Sequence, residues 1–215
     1  MAVVWVALSG AAVVTLRFLD PPATSVMLLE PGPLGALDYR WVDRGGISEA
    51  MARAAIAAED QRFLAHHGID VDALTDAIEE YRQDGELRGA STISQQVAKN
   101  LFLWNGRSFV RKGLEAWFAL LIDLAWSKQR ILEVYLNVAE FGPGVFGVEA
   151  AALAFYGVPA TGLSPSQSAT LAAVLPSPKR MDAANPSEYV DARRREILEQ
   201  MRLLEERSHY RGLNW

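Results

Sequence analysis

Apolar residues return every three or four positions along most of this chain, and the strict alternation of a half-buried strand is almost absent. The first apolar run, Met1–Leu16, has no charged side chain and is rich in Val, Ala and Leu, with Trp5 near one end. It falls short of the ~20 residues that carry a helix across a bilayer, and Arg17 and Asp20-Pro21-Pro22 stop it. A transmembrane anchor whose beginning is missing, a signal peptide and a buried helix compete for this run. A signal peptide opens on positive charge, which is lacking, and the Pro-Pro stop before a polar loop favours the anchor. Residues 20–46 read as a connector, with extended pieces at Ser25–Leu29 and Tyr39–Val42 that suit a small hairpin or an edge strand.

From residue 47 onward the repeating unit is cap, helix, short loop. Ser48 is placed to cap a helix with Glu49 in its first turn, and Met51, Ala54, Ala55 and Ala58 form one buried face. Glu59 follows directly on that face, so it is expected to point into the protein or a cleft in it, where burial raises a carboxyl pKa. Asp60 stands beside it. A second helix runs from Asp70 or Val71 to about Gln83, its Glu79, Glu80 and Arg82 forming a solvated face. Ser91 or Thr92 caps a third, which carries Gln95, Gln96, Lys99 and Asn100, with Gln96, Lys99 and Asn100 at neighbouring helical positions. Ser108 caps a fourth, Phe109–Ser127, apolar on most sides and therefore expected to be central or to touch lipid. Ser127 opens Lys128–Val138, where Ile131, Leu132, Tyr135 and Leu136 face inward and Arg130 pairs with Glu133. The Phe141-Gly142-Pro143-Gly144 turn, a helix at Gly147–Tyr156, a capped helix from Ser164-Pro165 to Pro176, and a last helix from Asn185-Pro186 to about Arg207 complete the pattern.

Charge changes the picture in one place. The chain has 215 residues and a net charge of −5, which argues against a nucleic-acid binder. Without cysteine it has no disulfide, thiol chemistry or Cys-based zinc site, and three histidines make a His-rich metal site implausible. Yet residues 87–114 hold no carboxylate and five cations, Arg88, Lys99, Arg107, Arg111 and Lys112. Arg111 and Lys112 lie in the first turn of their helix, where an anion gains from the cations and from free N–H groups. A solvated basic face is the competing reading. With Glu59 as a candidate proton acceptor nearby, a polyanion such as a diphosphate is preferred.

Four stretches then point together. Glu59-Asp60-x-x-Phe63-x-x-His66-x-Gly68 resembles the first signature of the peptidoglycan glycosyltransferases, glycosyltransferase family fifty-one. Gly89-Ala90-Ser91-Thr92-Ile93-Ser94-Gln95-Gln96-Val97-Ala98-Lys99-Asn100 resembles the second, with Ser94 where the family more often has Thr. Arg111-Lys112-x-x-Glu115 is similar to the third and Lys128-x-x-Ile131-Leu132-Glu133-x-Tyr135-Leu136-Asn137 to the fourth. Arg194-Arg195 with Ile197-Leu198 is a weaker echo of the fifth. The resemblance covers about residues 21–205.

What the resemblance implies is a mainly α, lysozyme-like helical domain with a central apolar helix and a deep groove. An N-terminal membrane-anchor helix precedes it: anchor 1–19, connector 20–46, glycosyltransferase domain 47–215. The implied enzyme is monofunctional and polymerises lipid II into β1,4-linked glycan on the outer face of the cytoplasmic membrane, inverting the sugar and releasing polyprenyl diphosphate. Glu59 is the implied base and Glu115 the second essential carboxylate, which orients the cations or holds a divalent ion, Mg or Mn. No cofactor is required. Lys99, Arg107, Arg111 and Lys112 face the diphosphate, Ser91, Gln95 and Gln96 shape the donor groove, Asp60 orients neighbours of Glu59, and Asp60 and Phe63 count with these as substrate-binding residues. His66 either bonds the loop or takes part in chemistry. Lipid II, the growing strand, the membrane and cell-wall synthesis or division proteins are the implied partners. A muramidase or lytic transglycosylase, which needs no cation cluster for diphosphate, and a non-catalytic cell-wall binding module, which would bind lipid II without making polymer, are the alternatives.

Overall fold

A computed structural model of the chain describes residues 1–30, 36–84, 91–106, 108–206, 213 and 215. Arg88, Gly89, Ala90 and Arg107 lie outside the described residues. The fold is mainly helical: α1 Ala2–Leu16, α2 Ser25–Leu29, α3 Glu49–Glu59, α4 Val71–Asp84, α5 Ile93–Phe102, α6 Phe109–Ala125, α7 Lys128–Val138, α8 Val148–Tyr156, α9 Pro165–Val174 and α10 Glu188–Glu206. Three short strands, β1 Asp38–Tyr39, β2 Glu140–Gly142 and β3 Val145–Phe146, form one sheet in the order β1-β3-β2.

The helix starts follow from local chemistry. The hydroxyls of Ser48, Thr92, Ser108, Ser127 and Ser164 each accept a hydrogen bond from the backbone N–H three residues on, satisfying a donor with no partner inside the helix. Thr92 with Gln95, and Ser164 with Gln167, form complete capping boxes. Gly157 ends α8 in the left-handed conformation that glycine adopts without steric cost.

Two expectations about the connector change. Ser25–Leu29 is helical, not extended, because Thr24 caps it and Val26 and Met27 pack with Phe146 in a small separate cluster. The second extended piece shrinks to β1, an edge strand paired in parallel with β3. The hairpin forms elsewhere, between β2 and β3, where Gly144 at φ 72° turns the chain.

The centre of the core also moves. α7 buries Ile131, Leu132, Val134, Tyr135, Leu136 and Val138, and α9 buries Leu171 and Val174. α6, expected at the centre, buries only Glu115, Phe118, Ala119 and Ile122. Its Phe109 and Leu124 are 99% and 86% exposed. A helix apolar on most sides is either enclosed or left with a bare face, and α6 is the second case. One of its sides packs on α5 and α7 and another on α1.

α1 docks there through specific contacts. The indole N–H of Trp126 donates to the Val13 carbonyl (2.8 Å) and that of Trp117 to Ser9 Oγ (3.2 Å). Arg130 donates to the carbonyls of Leu16 and Leu19 and pairs with Asp20 and Glu133. Val3, Val4, Val6, Leu8 and Val14 remain exposed. Among the described residues no helix is long and apolar enough to cross a membrane.

Candidate active site

Glu59 is the last residue of α3, whose alanines 54, 55 and 57 are buried. Small side chains let α3 lie close against α9 and α10, which holds its C-terminal end rigidly. At that end Gln96 Nε2 donates to Glu59 Oε2 at 2.7 Å, and the hydroxyl of the fully buried Tyr135 donates to Gln96 Oε1 at 3.4 Å. The two contacts use opposite ends of the amide, so they select its orientation. Burial pushes the Glu59 carboxyl above the usual glutamate range; the Gln96 hydrogen bond and the Arg193 charge pull it partly back.

The neighbouring carboxylate turns inward. Asp60 is buried, accepts from His66 Nε2 through both oxygens (2.9 and 3.0 Å) and accepts from the Ile93 N–H at 3.0 Å. It therefore ties the end of α3 to the start of α5, the two helices that meet at the Glu59–Gln96 bond. Thr92 Oγ1 donates to the Gly68 carbonyl at 2.6 Å, drawing the loop after α3 to the same helix start. His66 thus bonds Asp60 within the loop, as the structural reading of it expects.

The cations gather across from Glu59 on α5 and α6. Arg111 Nη1 donates to Glu115 Oε2 at 2.6 Å, and Lys112 Nζ donates to Glu115 Oε1 and to Ser91 Oγ, the latter at 2.7 Å. Glu115 is only 4% exposed, so its carboxylate depends on these two cations instead of water. Burial lowers the Lys99 ammonium below the usual lysine range, and Glu115 is the leading charge that opposes this.

These groups share one space. Ala58, Glu59, Ser91, Gln96, Lys99, Arg111, Lys112, Glu115 and Arg193 line an open cleft of about 470 Å³, rimmed by Leu175 and Pro176 at the end of α9. A second lobe of about 380 Å³ meets it at Gln96, Lys99, Leu175 and Pro176 and extends past Asn100 and Glu140 to Lys179 and Arg180. One cleft therefore holds the acid together with Lys99, Arg111 and Lys112.

Three expected site residues, Asp60, Gln95 and Phe63, are not brought to it. Asp60 faces His66 and the Ile93 N–H. Gln95 is buried with its side-chain oxygen accepting from the Thr92 N–H, so it builds the helix start instead of the groove wall. Phe63 is fully buried, with the Lys128 ammonium 4.7 Å from its ring centroid. Arg107 lies outside the described residues. Both Glu115 oxygens are engaged by cations of its own helix, one by Arg111 and the other by Lys112. Asp60, His66 and Asp70 place donor atoms within 4.8 Å of one another, but Asp60 is engaged as above and Asp70 by the Ala73 N–H and Arg62.

Sequence reasoning missed Arg193, Lys179 and Arg180. A signal for Arg193 existed. Val190, Ile197, Met201 and Leu204 are the buried stripe of α10, and Arg193 falls on that stripe between the first two. A cation at an inward position needs an acceptor or a cavity, and this one has both.

A profile of the Transglycosylase family matches residues 32–202. The chain belongs to that family. Biosynthetic peptidoglycan transglycosylases resemble this transglycosylase over most of their length. The protein of Xanthomonas oryzae is 53% identical over 205 residues, 92% of this chain and 84% of its own. That of Shewanella oneidensis is 49% identical over 199 residues, 91% and 85% of the two chains, and that of Caulobacter vibrioides 50% over 186, 86% and 81%.

Proposed function

We propose that this transglycosylase polymerises lipid II into β1,4-linked glycan strands with release of polyprenyl diphosphate. The observation that carries the proposal is the shared cleft: a carboxylate of raised pKa faces a space also lined by Lys99, Arg111 and Lys112. Glu59, steadied by Gln96, accepts the proton of the attacking sugar 4-hydroxyl. The hydroxyl oxygen bonds to the anomeric carbon of the donor as the bond to the diphosphate oxygen breaks, so the sugar inverts. Negative charge grows on the leaving oxygen, where the ammonium and guanidinium groups stabilise it more in the transition state than in the bound substrate. Glu115 sets the positions of two of those cations. The diphosphate charge is met by protein cations, and the reading gives no step to a metal ion.

The chain works at the cell envelope, on the outer face of the cytoplasmic membrane. The uncharged α1 and the bare apolar side chains of α6 rest against the lipid that carries the substrate.

Labelled lipid II incubated with the protein in detergent should give lysozyme-sensitive polymer. Glu59→Gln keeps the shape and the Gln96 contact but removes the base, and polymerisation should fall by a factor of ~10² or more. Near-wild-type polymer from that variant would refute the assignment.

A further inference from the structure

Arg193 lines the cleft together with Ala58 and Glu59. Its Nη2 donates to the Ala58 carbonyl at 3.3 Å, and its Nη1 pairs with Glu196 at 2.9 Å. Ala58 immediately precedes Glu59 in the last turn of α3, where unpaired carbonyls and the negative end of the helix dipole both favour a cation. We propose that Arg193 is a positioning residue for the transfer reaction: anchored on the end of α3, its guanidinium holds Glu59 in the ionised form that accepts the proton.

The inference rests on the assignment of Glu59 as base. The groups facing Glu59 come from four other elements. Gln96 and Lys99 lie on α5, and Tyr135 on α7 reaches Gln96. Arg111, Lys112 and Glu115 line the cleft from α6, and Glu115 partly cancels its two neighbours. Asp60, next in the chain, adds a repelling negative charge. Among the described residues, Arg193 on α10 and Lys99 on α5 are the positive charges that favour ionised Glu59, and of the two only Arg193 also bonds the end of α3. Its own partner, Glu196, is exposed, so water weakens the pull on the guanidinium. The same arginine also fixes the backbone beside the base, so that position and charge are supplied together.

The test is the pH dependence of lipid II polymerisation for the wild type, Arg193→Gln, Arg193→Lys, Glu196→Gln and Glu59→Gln. On the acid limb Arg193→Gln should lose about threefold in rate. The loss should shrink as pH rises and ionises Glu59 without help. Arg193→Lys, which keeps the charge, should recover most of it. Glu196→Gln removes only a water-screened counter-charge and should leave the acid limb in place, which assigns the pull to the guanidinium itself. A loss by one constant factor at every pH, or an unmoved limb, in Arg193→Gln overturns the inference while Glu59→Gln remains inactive. Polymer formed by Glu59→Gln would instead overturn the base assignment, and this inference with it. Should Arg193→Gln fail to fold, Arg193→Met, which keeps the apolar stem and removes the charge, is read on the same limb: shifted, it supports the role; unshifted, it refutes it.

Discussion

Replacing Glu115 by Gln tests how the cations are held. The carboxylate accepts from Arg111 through one oxygen and from Lys112 through the other. Gln keeps one oxygen and presents an N–H group to whichever cation loses its acceptor. A hydrogen bond to a charged group contributes about 1.5–3 kcal/mol. The Lys112 side chain is 45% exposed, so water replaces much of its loss. Arg111 is 12% exposed and has no such recourse, so it decides the outcome. A misplaced guanidinium then costs about 2–3 kcal/mol in the transition state, which at about 1.4 kcal/mol per factor of ten is a fall of roughly 10² in kcat/KM. A second effect carries a signature. Glu115 is the leading charge that keeps Lys99 protonated against burial, so its loss lets Lys99 shed its proton more easily. The defect should therefore deepen as pH rises. Rates with labelled lipid II near neutrality and at alkaline pH, alongside thermal unfolding to establish that the variant folds, measure both effects. A folded Glu115→Gln protein within about threefold of wild type at both pH values would refute the reasoning, because the cations would then be placed without it.

Two further outcomes follow from the same geometry. The active form needs Glu59 ionised and Lys99 protonated; burial raises the first pKa and lowers the second, so kcat/KM should trace a bell narrower at both ends than an ordinary glutamate and lysine would give. Lys99→Arg should remove the alkaline limb, since arginine does not titrate there, and a limb that stays in place assigns it to another group. Gly68 has φ 78°, and a Cβ there would sit 2.8 Å from the Ala119 carbonyl oxygen in the backbone of α6. Gly68→Ala should thus lose at least about 2 kcal/mol by chemical denaturation, from left-handed strain plus displacement of backbone; a loss under about 0.5 kcal/mol would mean that α6 gives way.

Wherever the physics is local, the chain could be read directly. The capping serines and Thr92 act across three residues, so Ser48, Ser108, Ser127 and Ser164 mark real helix starts, and the Arg130–Glu133 pair spans a single turn. Local patterns failed where a distant partner decided. Ser25–Leu29 looks extended, yet Thr24 and the packing of Val26 and Met27 with Phe146, far along the chain, make it a helix. Gln95 and Gln96 are adjacent and chemically identical. One turns back to the start of its own helix and the other reaches Glu59, because successive helical positions point about 100° apart and only one direction meets the cleft.

The amino-acid sequence by itself determined the helices from residue 47 onward, most of their caps and the motif set, and through the motifs the family. Tertiary structure alone decided that the carboxylate ending α3, the amide and ammonium of α5, the ion cluster opening α6 and the arginine of α10 share one cleft. It also decided that α6 keeps a bare apolar face, while α7 and α9 are enclosed by the helices around them. The reason is physical: caps and helical faces are set by neighbours a turn away, whereas burial, and with it the shifted pKa values of Glu59 and Lys99, exists only after distant segments exclude water together.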